Sequence, residues 1–129
     1  MPTFHVLDEQ ICPHRDSAAH GVEVPPGARL LFTNGQVGSR LDGTVPDDPR
    51  AQVDIIFDRL ATILKASNMT FADVIKFSIY VTNKAILDDY VRARTKYVPH
   101  APAATLLIVG PFPRPGIQVE IEAIAAKVG

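Results

Sequence analysis

Residues 102–125 read PAATLLIVGPFPRPGIQVEIEAIA, and this stretch predicts two strands joined by a loop rich in proline and glycine. The second strand carries Glu120 and Glu122 on one face, because side chains alternate in direction along a strand. The other face carries the apolar residues Val119, Ile121 and Ala123. Two interpretations of the glutamates stay open: they perform acid–base chemistry, or they face solvent on the open side of an antiparallel sheet.

The composition indicates one globular domain over residues 1–129. This length, with a hydrophobic content of 47%, is enough for one hydrophobic core. Thirteen basic residues against fourteen acidic ones give a net charge of −1, and no basic stripe of the kind that nucleic acid requires is present. We therefore expect no nucleic-acid partner.

Cysteine usage and hydropathy predict a cytoplasmic protein without a membrane span. Cys12 is the single cysteine, so no internal disulfide forms, which fits a reducing compartment. The N-terminal segment carries His5, Asp8 and Glu9 and lacks the apolar run of a signal peptide. No stretch of about 18 apolar residues occurs in the sequence, so we expect no membrane partner.

Two amphipathic helices are predicted from apolar residues at helical spacing. The first begins with Asp48 as N-cap and Pro49 in the first turn, and it ends near Asn68. The second extends from a cap at Asn83 to about Val98. The inner stripes are Val53, Ile56, Phe57, Leu60 and Leu64 in the first helix and Ile86, Tyr90, Ala93 and Tyr97 in the second.

Further strands are predicted before and between these helices. Residues 21–24 pair with 29–36 in a hairpin across the Pro25-Pro26-Gly27 turn. Residues 3–7 form a short first strand, and 74–81 form a strand between the helices. One face of that last strand carries Ile75, Phe77, Ile79 and Val81.

The order of these elements predicts a sheet with both helices on one side. Each helix makes a right-handed crossover connection, which places the two helices on the same face. No element of the chain covers the other face, yet residues 105–109 form a continuous apolar run that predicts burial on both faces. We therefore expect another subunit to cover the free face.

Motifs for metals and cofactors are not found in the sequence. The four histidines lack metal-ligand spacing, and no P-loop, GxGxxG or GxSxG occurs, so neither a metal nor a cofactor is expected. Gly35 at a strand end predicts a bulge or a close backbone approach, where N–H groups can bind a carboxylate oxygen. Arg114 lies in a proline-rich loop, where it either reaches an anionic ligand or stays solvated.

Four segments together resemble the RidA/YjgF family of small enamine and imine deaminases over roughly residues 20–126. LFTNGQ at 31–36 is similar to the family's LFxSGQ strand, and VEIEAIA at 119–125 reproduces its ending. ADVIK at 72–76 and YVTN at 80–83 resemble its DDVVK and xxLTD segments. The combination and spacing of these segments carry the resemblance.

The resemblance implies a chorismate-mutase-like α+β subunit, with a mixed sheet and two helices on one face, that forms a homotrimer. Its sites lie in the clefts between subunits and hydrolyse a 2-enamine or 2-imine acid to a 2-keto acid and ammonia, without a cofactor. Glu120 matches the glutamate that positions or activates water. Backbone groups at Asn34 and Gly35, and at Thr105 and Leu106, match the substrate-binding strands.

The chain departs from the family at the substrate anchor. The arginine of the family's P-x-R-S motif, which grips the substrate carboxylate with its two-pronged guanidinium, falls at Ala104. The tyrosine that many members carry near the N-terminus falls at Ala18. The usual imines derived from amino acids are therefore expected to be poor substrates.

Three functions remain open at this point. The first is a deaminase with an atypical substrate, in which Arg94 or Arg114 replaces the lost cation or the substrate has no carboxylate. The second is a non-catalytic trimer that binds a small ligand in the same cleft. The third is RNA cleavage, which is sometimes attributed to this family and which the charge balance opposes.

Overall fold

A computed structural model describes residues 1–13 and 18–129, and in this part of the chain seven strands and two α-helices form. The strands are β1 (Thr3–His5), β2 (Gly21–Glu23), β3 (Arg29–Phe32), β4 (Gln36–Val37), β5 (Val74–Val81), β6 (Ala103–Ile108) and β7 (Val119–Lys127).

 The helices are α1 (Pro49–Ala66) and α2 (Ile86–Tyr97), and a short 3₁₀ turn (Phe71–Asp73) precedes β5.

Strand β5 is continuous, but its pairing with β7 contains an irregularity. A register shift against β7 falls between Val74 and Lys76 and divides the paired residues of β5 into two segments. Because of this bulge, Val74 is fully buried and Ile75 is only partly buried. The placement of Ile75 on the buried face was therefore wrong, whereas Phe77, Ile79 and Val81 are buried as predicted.

The main sheet is mixed, as the α+β prediction requires. Its strand order is β3-β7-β5-β6, and β4 pairs with β7 next to β3. β5 and β6 run parallel, whereas β7 is antiparallel to β3, β4 and β5. Side chains from α1, α2 and one face of this sheet share a single hydrophobic core, which confirms that both helices lie on the same side.

The opposite side of the sheet, here called the open face, is covered by no element of the described chain. Paired residues in the register share a face, so the open face carries residues that alternate with the core positions. Its central residues are Lys76, Ser78, Tyr80, Glu120 and Glu122, and its apolar residues include Leu30, Phe32 and Leu107.

Helix α1 matches its prediction closely. The Asp48 side chain caps the helix by accepting a hydrogen bond of 2.9 Å from the backbone N–H of Arg50, and Pro49 is the first helical residue. All five residues of the predicted apolar stripe are fully buried. The helix ends at Ala66, and Asn68 adopts a positive φ of 57° just beyond it.

Helix α2 starts later than predicted. The Asn83 side chain accepts a hydrogen bond of 2.9 Å from the backbone N–H of Ala85, so it caps the turn that leads into the helix at Ile86. Arg92 on this helix pairs with Asp54 of α1 at 3.1 Å, which ties the two helices together.

The predicted hairpin between residues 21–24 and 29–36 was wrong. β2 pairs with β1 in a separate two-stranded sheet, and β3 pairs with β7. A turn does form after Pro25, whose carbonyl oxygen accepts a hydrogen bond from Ala28, but it carries the chain from one sheet to the other. Pairing with β7 lets Leu31 pack against the hydrophobic core, and a local hairpin offers no such burial.

The apolar run at residues 105–109 is only partly covered within a single chain, because even Ile108, which pairs with buried Val81, is 59% exposed. Ala104 and Leu106 of β6 pack against the core, whereas Leu107 is 49% exposed on the open face. β6 is also an edge strand, because only β5 pairs with it in the described chain. None of the described helices is both long and apolar enough to cross a membrane.

Candidate functional site

The site is built around a break between β3 and β4, where the chain leaves the edge of β7 and returns to it. Thr33 replaces part of the lost pairing: its N–H donates to the carbonyl oxygen of Ala123, and its Oγ1 accepts from the Ala123 N–H, both at 3.0 Å. The Gln36 side chain closes the break by donating to the Asn34 carbonyl oxygen at 3.2 Å. Asn34 and Gly35 therefore bulge away from the ladder at a fixed place.

The Glu120 carboxylate lies directly over Gly35. A Cβ atom built on Gly35 would be 2.2 Å from Oε2 of Glu120 and 2.9 Å from its Cδ. Glycine at this position leaves room for the carboxylate, which any larger side chain would displace. The structure thus brings Glu120, Gly35 and the neighbouring Asn34 together, as the sequence suggested for a close backbone approach.

Glu120 and Glu122 differ in their surroundings although they share a face. The Tyr80 hydroxyl donates a hydrogen bond of 3.3 Å to Glu122 Oε1. No group among the described residues donates a hydrogen bond to the Glu120 carboxylate, so its oxygen atoms are available to water or a ligand.

A cavity of about 380 Å³, here called the Glu120 cavity, opens beside these two carboxylates. Its volume falls within the range of small-molecule sites. It is lined by Tyr80, Val109, Gly110, Pro111, Phe112, Pro113, Glu120 and Glu122. The proline-rich loop between β6 and β7 thus forms one wall, and the open face of the sheet forms the other.

Buried Gln52 on α1 fixes the position of this loop. Its Nε2 donates to the carbonyl oxygens of Pro46 at 2.9 Å and Gly116 at 2.8 Å, and its Oε1 accepts from the N–H of Gln118 at 3.0 Å. Gly38 permits the close approach, because a Cβ atom there would be 2.5 Å from the Gln52 Cα.

The predicted cationic replacements do not line the Glu120 cavity. Arg94 lies on α2, which packs on the core side of the sheet, opposite the face that carries Glu120. The Arg114 guanidinium donates to the carbonyl oxygen of Gly43. The turn around Gly43 is held by Asp42, whose pKa is lowered by hydrogen bonds from the backbone and side chain of Thr44.

The predicted residues of β6 are also separated from Glu120 within one chain. Ala104 and Leu106 pack on the core side, and Thr105 is exposed between them. β5 lies between β6 and β7, so Ala104 and Glu120 are two strands apart and on opposite faces. They are also offset along the sheet, because Ala104 pairs with Phe77 and Glu120 pairs with Tyr80. Ala18, at the position of the family's tyrosine, is buried.

Sequence reasoning missed three residues of the site. Tyr80 and Phe112 line the cavity, and Gln52 positions its loop. Tyr80 carried a signal, because the predicted alternation placed it on the face that Glu120 shares. Gln52 could also have been identified from the sequence, because it is a polar residue beside the apolar stripe of α1. Among the described residues, no group of three His, Cys, Asp or Glu side chains is arranged to hold a metal.

Comparisons with known proteins agree with this architecture. A family model described as Endoribonuclease L-PSP matches residues 17–127. The RutC family protein YjgH of Escherichia coli (strain K12) is 35% identical over 97 residues, which cover 74% of each chain. The Rid family protein YyfB of Yersinia pestis, described as a protein of unknown function, superposes with a TM-score of 0.83 at 25% identity over 98% of both chains.

A third relative was solved with a ligand. Escherichia coli TdcF with bound serine superposes with a TM-score of 0.69 at 25% identity, covering 81% of this chain and 84% of TdcF. The family model and YjgH match most of the chain, and the solved structures reproduce its mixed sheet with two helices. The chain therefore belongs to the RidA/YjgF family, which the Endoribonuclease L-PSP model describes.

Proposed function

We propose that this protein is a hydrolytic deaminase for a reactive enamine or imine, with water positioned by Glu120 in a cleft between subunits. One observation carries the proposal: the Glu120 carboxylate lies over the Gly35 backbone at the rim of a ligand-sized cavity, without a hydrogen-bond donor among the described residues. A carboxylate placed in this way can accept a proton from water as the water attacks a nearby carbon.

The reaction adds water across the C=N bond of the imine and releases a carbonyl compound and ammonia. Glu120 takes a proton from the attacking water while the new C–O bond forms, and it returns a proton to the nitrogen as the C–N bond breaks. An enamine enters the same route after a proton is added to its carbon. Each step conserves atoms and charge, and no cofactor is required.

The free edge and open face of the sheet support a homotrimer. Leu30, Phe32 and Leu107 are 50%, 66% and 49% exposed on the open face, an apolar surface that subunit contacts would cover. Assembly would also bring β6 of one subunit to a neighbour, as the family's clefts require, since one chain keeps Ala104 away from Glu120.

The trimer predicts a mass in solution of three times the 14.0 kDa chain. Light scattering at micromolar concentration measures this mass directly. Leu30→Glu places a charge on the open face and is expected to reduce the trimer fraction, whereas Leu41→Glu changes a fully exposed loop leucine and serves as the matched control. A monomeric wild-type protein would remove the trimer from the proposal.

Alanine at position 104 limits which substrates the protein is expected to hydrolyse. TdcF binds serine, an amino acid with a carboxylate. Ala104 cannot pair with such a group, and Arg94 and Arg114 do not line the cavity of the same chain. We therefore expect weak hydrolysis of 2-imino acids.

We also propose that the protein is located in the cytoplasm.

The test measures ammonia release from a panel of imines and enamines, with and without a carboxylate, above the rate in buffer. We expect at least one member to be accelerated by the wild-type protein and the acceleration to disappear in Glu120→Gln. Glu23→Gln, an equivalent change at the exposed last residue of β2 in the small sheet, should keep the wild-type rate. Equal rates for Glu120→Gln and wild type would exclude Glu120 from the reaction.

A non-catalytic ligand-binding trimer is the second candidate, and the lost arginine at Ala104 favours it. Ligand binding in the Glu120 cavity without turnover of any panel member would support this function.

RNA cleavage is opposed by the net charge of −1 and by two carboxylates in the cavity, which repel phosphates. Incubating the protein with RNA and measuring cleavage of the RNA tests this third function.

A further inference from the structure

The Glu120 cavity combines two kinds of group that recognise organic cations. Glu120 and Glu122 contribute carboxylates, and Tyr80 and Phe112 contribute aromatic rings. Carboxylates attract a cation directly, and the negative face of an aromatic ring attracts it through the ring quadrupole. The remaining lining consists of Val109, Gly110, Pro111 and Pro113, which add no charge.

No positively charged side chain of the described residues lines this cavity. Arg114 belongs to the same loop, but its guanidinium donates to the Gly43 carbonyl oxygen. Lys76 lies on the open face and lines a neighbouring cavity of about 270 Å³ together with Glu122, outside the Glu120 cavity. The arginine that is missing at position 104 is therefore not replaced by a cation in the cavity walls of the same chain.

The loop that supplies the apolar wall is held in place. Gln52 binds Gly116 and Gln118, and Arg114 binds Gly43, so the segment that follows Phe112 is anchored on two sides. An anchored wall binds a ligand without a large ordering cost, because the loop is already in position.

We propose that the Glu120 cavity takes the protonated imine of a simple amine with an apolar or aromatic body and no carboxylate. This inference rests on the proposed deaminase function and names its substrate class. The carboxylates stabilise the positive nitrogen, and Tyr80, Phe112 and the prolines contact the body of the substrate. A 2-imino acid would instead bring its negative carboxylate toward two glutamates, with no cation among the described lining residues of the same chain to pair with it.

The hydrolysis of such a substrate balances as follows: R₂C=NH₂⁺ and H₂O give R₂C=O and NH₄⁺. The water oxygen forms the new bond to carbon, and its two protons end on the departing nitrogen, one of them through Glu120. No oxidant or reductant takes part. The amine must first be oxidised to its imine, so an amine-oxidising reaction is the class that supplies this substrate.

The test compares two substrates that differ only by the carboxylate. An amine oxidase generates the imine of 2-phenylethylamine, and an amino-acid oxidase generates the imine of phenylalanine; ammonia release above the uncatalysed rate is measured for each. We expect the acceleration to be about tenfold or more greater for the 2-phenylethylamine imine. A greater acceleration for the phenylalanine imine would overturn the proposal.

Binding measurements separate this inference from the deaminase function. Calorimetric titration is expected to give about tenfold or more tighter binding of 2-phenylethylammonium than of phenylacetate. Binding of the ammonium without hydrolysis of any imine would support the ligand class and contradict the deaminase. Tighter binding of phenylacetate, or equal binding of both, would contradict the ligand class whatever the activity.

Two variants test the assigned groups. Glu122→Gln removes one charge and keeps the shape of the side chain, so it should weaken 2-phenylethylammonium binding several-fold and leave phenylacetate unchanged or tighter. Phe112→Leu should weaken both ligands, because it removes the ring from the wall. Glu23→Gln is the control for charge and should change neither affinity. Unchanged ammonium binding in Glu122→Gln would exclude its charge from recognition.

Discussion

Gly38→Ala is expected to destabilise the protein by about 3 kcal/mol or more, the largest stability loss that the structure predicts for a single methyl group. The new Cβ atom would lie 2.5 Å from the Cα, 2.6 Å from the Cβ and 2.7 Å from the carbonyl oxygen of Gln52. Two of these atoms are helix backbone, so no rotamer change relieves the contact, and α1 must move away from the segment after β4.

That movement would also disturb hydrogen bonds that are hard to replace. Gln52 is completely buried, and its side chain satisfies backbone groups of Pro46, Gly116 and Gln118. Buried backbone groups that lose their partners cost roughly 1–3 kcal/mol each. Because domains of this size are stable by only about 5–15 kcal/mol, a large share of the stability is at risk.

Thermal and urea unfolding followed by circular dichroism measure the effect. We expect the melting temperature of Gly38→Ala to fall by roughly 10 °C or more. Gly21→Ala is the matched control, because a Cβ atom there meets nothing within 4 Å. Equal unfolding midpoints for the two variants would contradict the close packing of Gly38 against Gln52.

The sequence was most informative where local pattern and burial agree. β5 has the predicted bounds, residues 74–81, and α1 begins at Pro49 after the predicted cap. The alternation of β7 was also predicted, since Val119 and Ile121 are buried and the intervening Glu120 is not. These elements follow from period, capping and turn chemistry, all of which act between near neighbours in the chain.

The pairing of β2 and β3 required information that local pattern lacks. A turn at Pro25 is compatible with a hairpin and equally with a crossing between two sheets. The choice is decided by the burial of Leu31 beside β7, a strand from the other end of the chain. Ile75 was misplaced for a related reason, because a bulge shifts the register without changing the composition of the strand.

The site was predictable in part. The resemblance associated Glu120 with Gly35, and the structure brings them into contact. The contributions of Phe112 and Gln52 depend on how the loop between β6 and β7 returns across α1, which spacing does not define. For the same reason, the sequence did not reveal that Arg114 is directed to Gly43.

Gly35→Ala is expected to abolish most of the proposed deaminase activity and to leave the fold intact. The new Cβ atom would lie 2.2 Å from Glu120 Oε2, which is the end of a flexible side chain, so the carboxylate can move aside. The φ of Gly35 is not positive, so alanine adopts this backbone without strain. We therefore expect a stability change within about 1 kcal/mol and a loss of rate of roughly 10²- to 10⁴-fold, the usual contribution of a positioned acid–base group.

The double variant Gly35→Ala/Glu120→Gln distinguishes displacement of the carboxylate from a separate role of Gly35. If alanine acts by moving Glu120, the double variant should be no slower than Glu120→Gln alone, because the same contribution cannot be lost twice. The rates are compared on the panel imine that the wild-type protein hydrolyses fastest, with Gly21→Ala as the control for a glycine in open space. A wild-type rate in Gly35→Ala would mean that the reaction does not depend on the carboxylate at this position. Multiplied losses in the double variant would instead assign Gly35 a contribution of its own, such as a backbone N–H that binds the substrate.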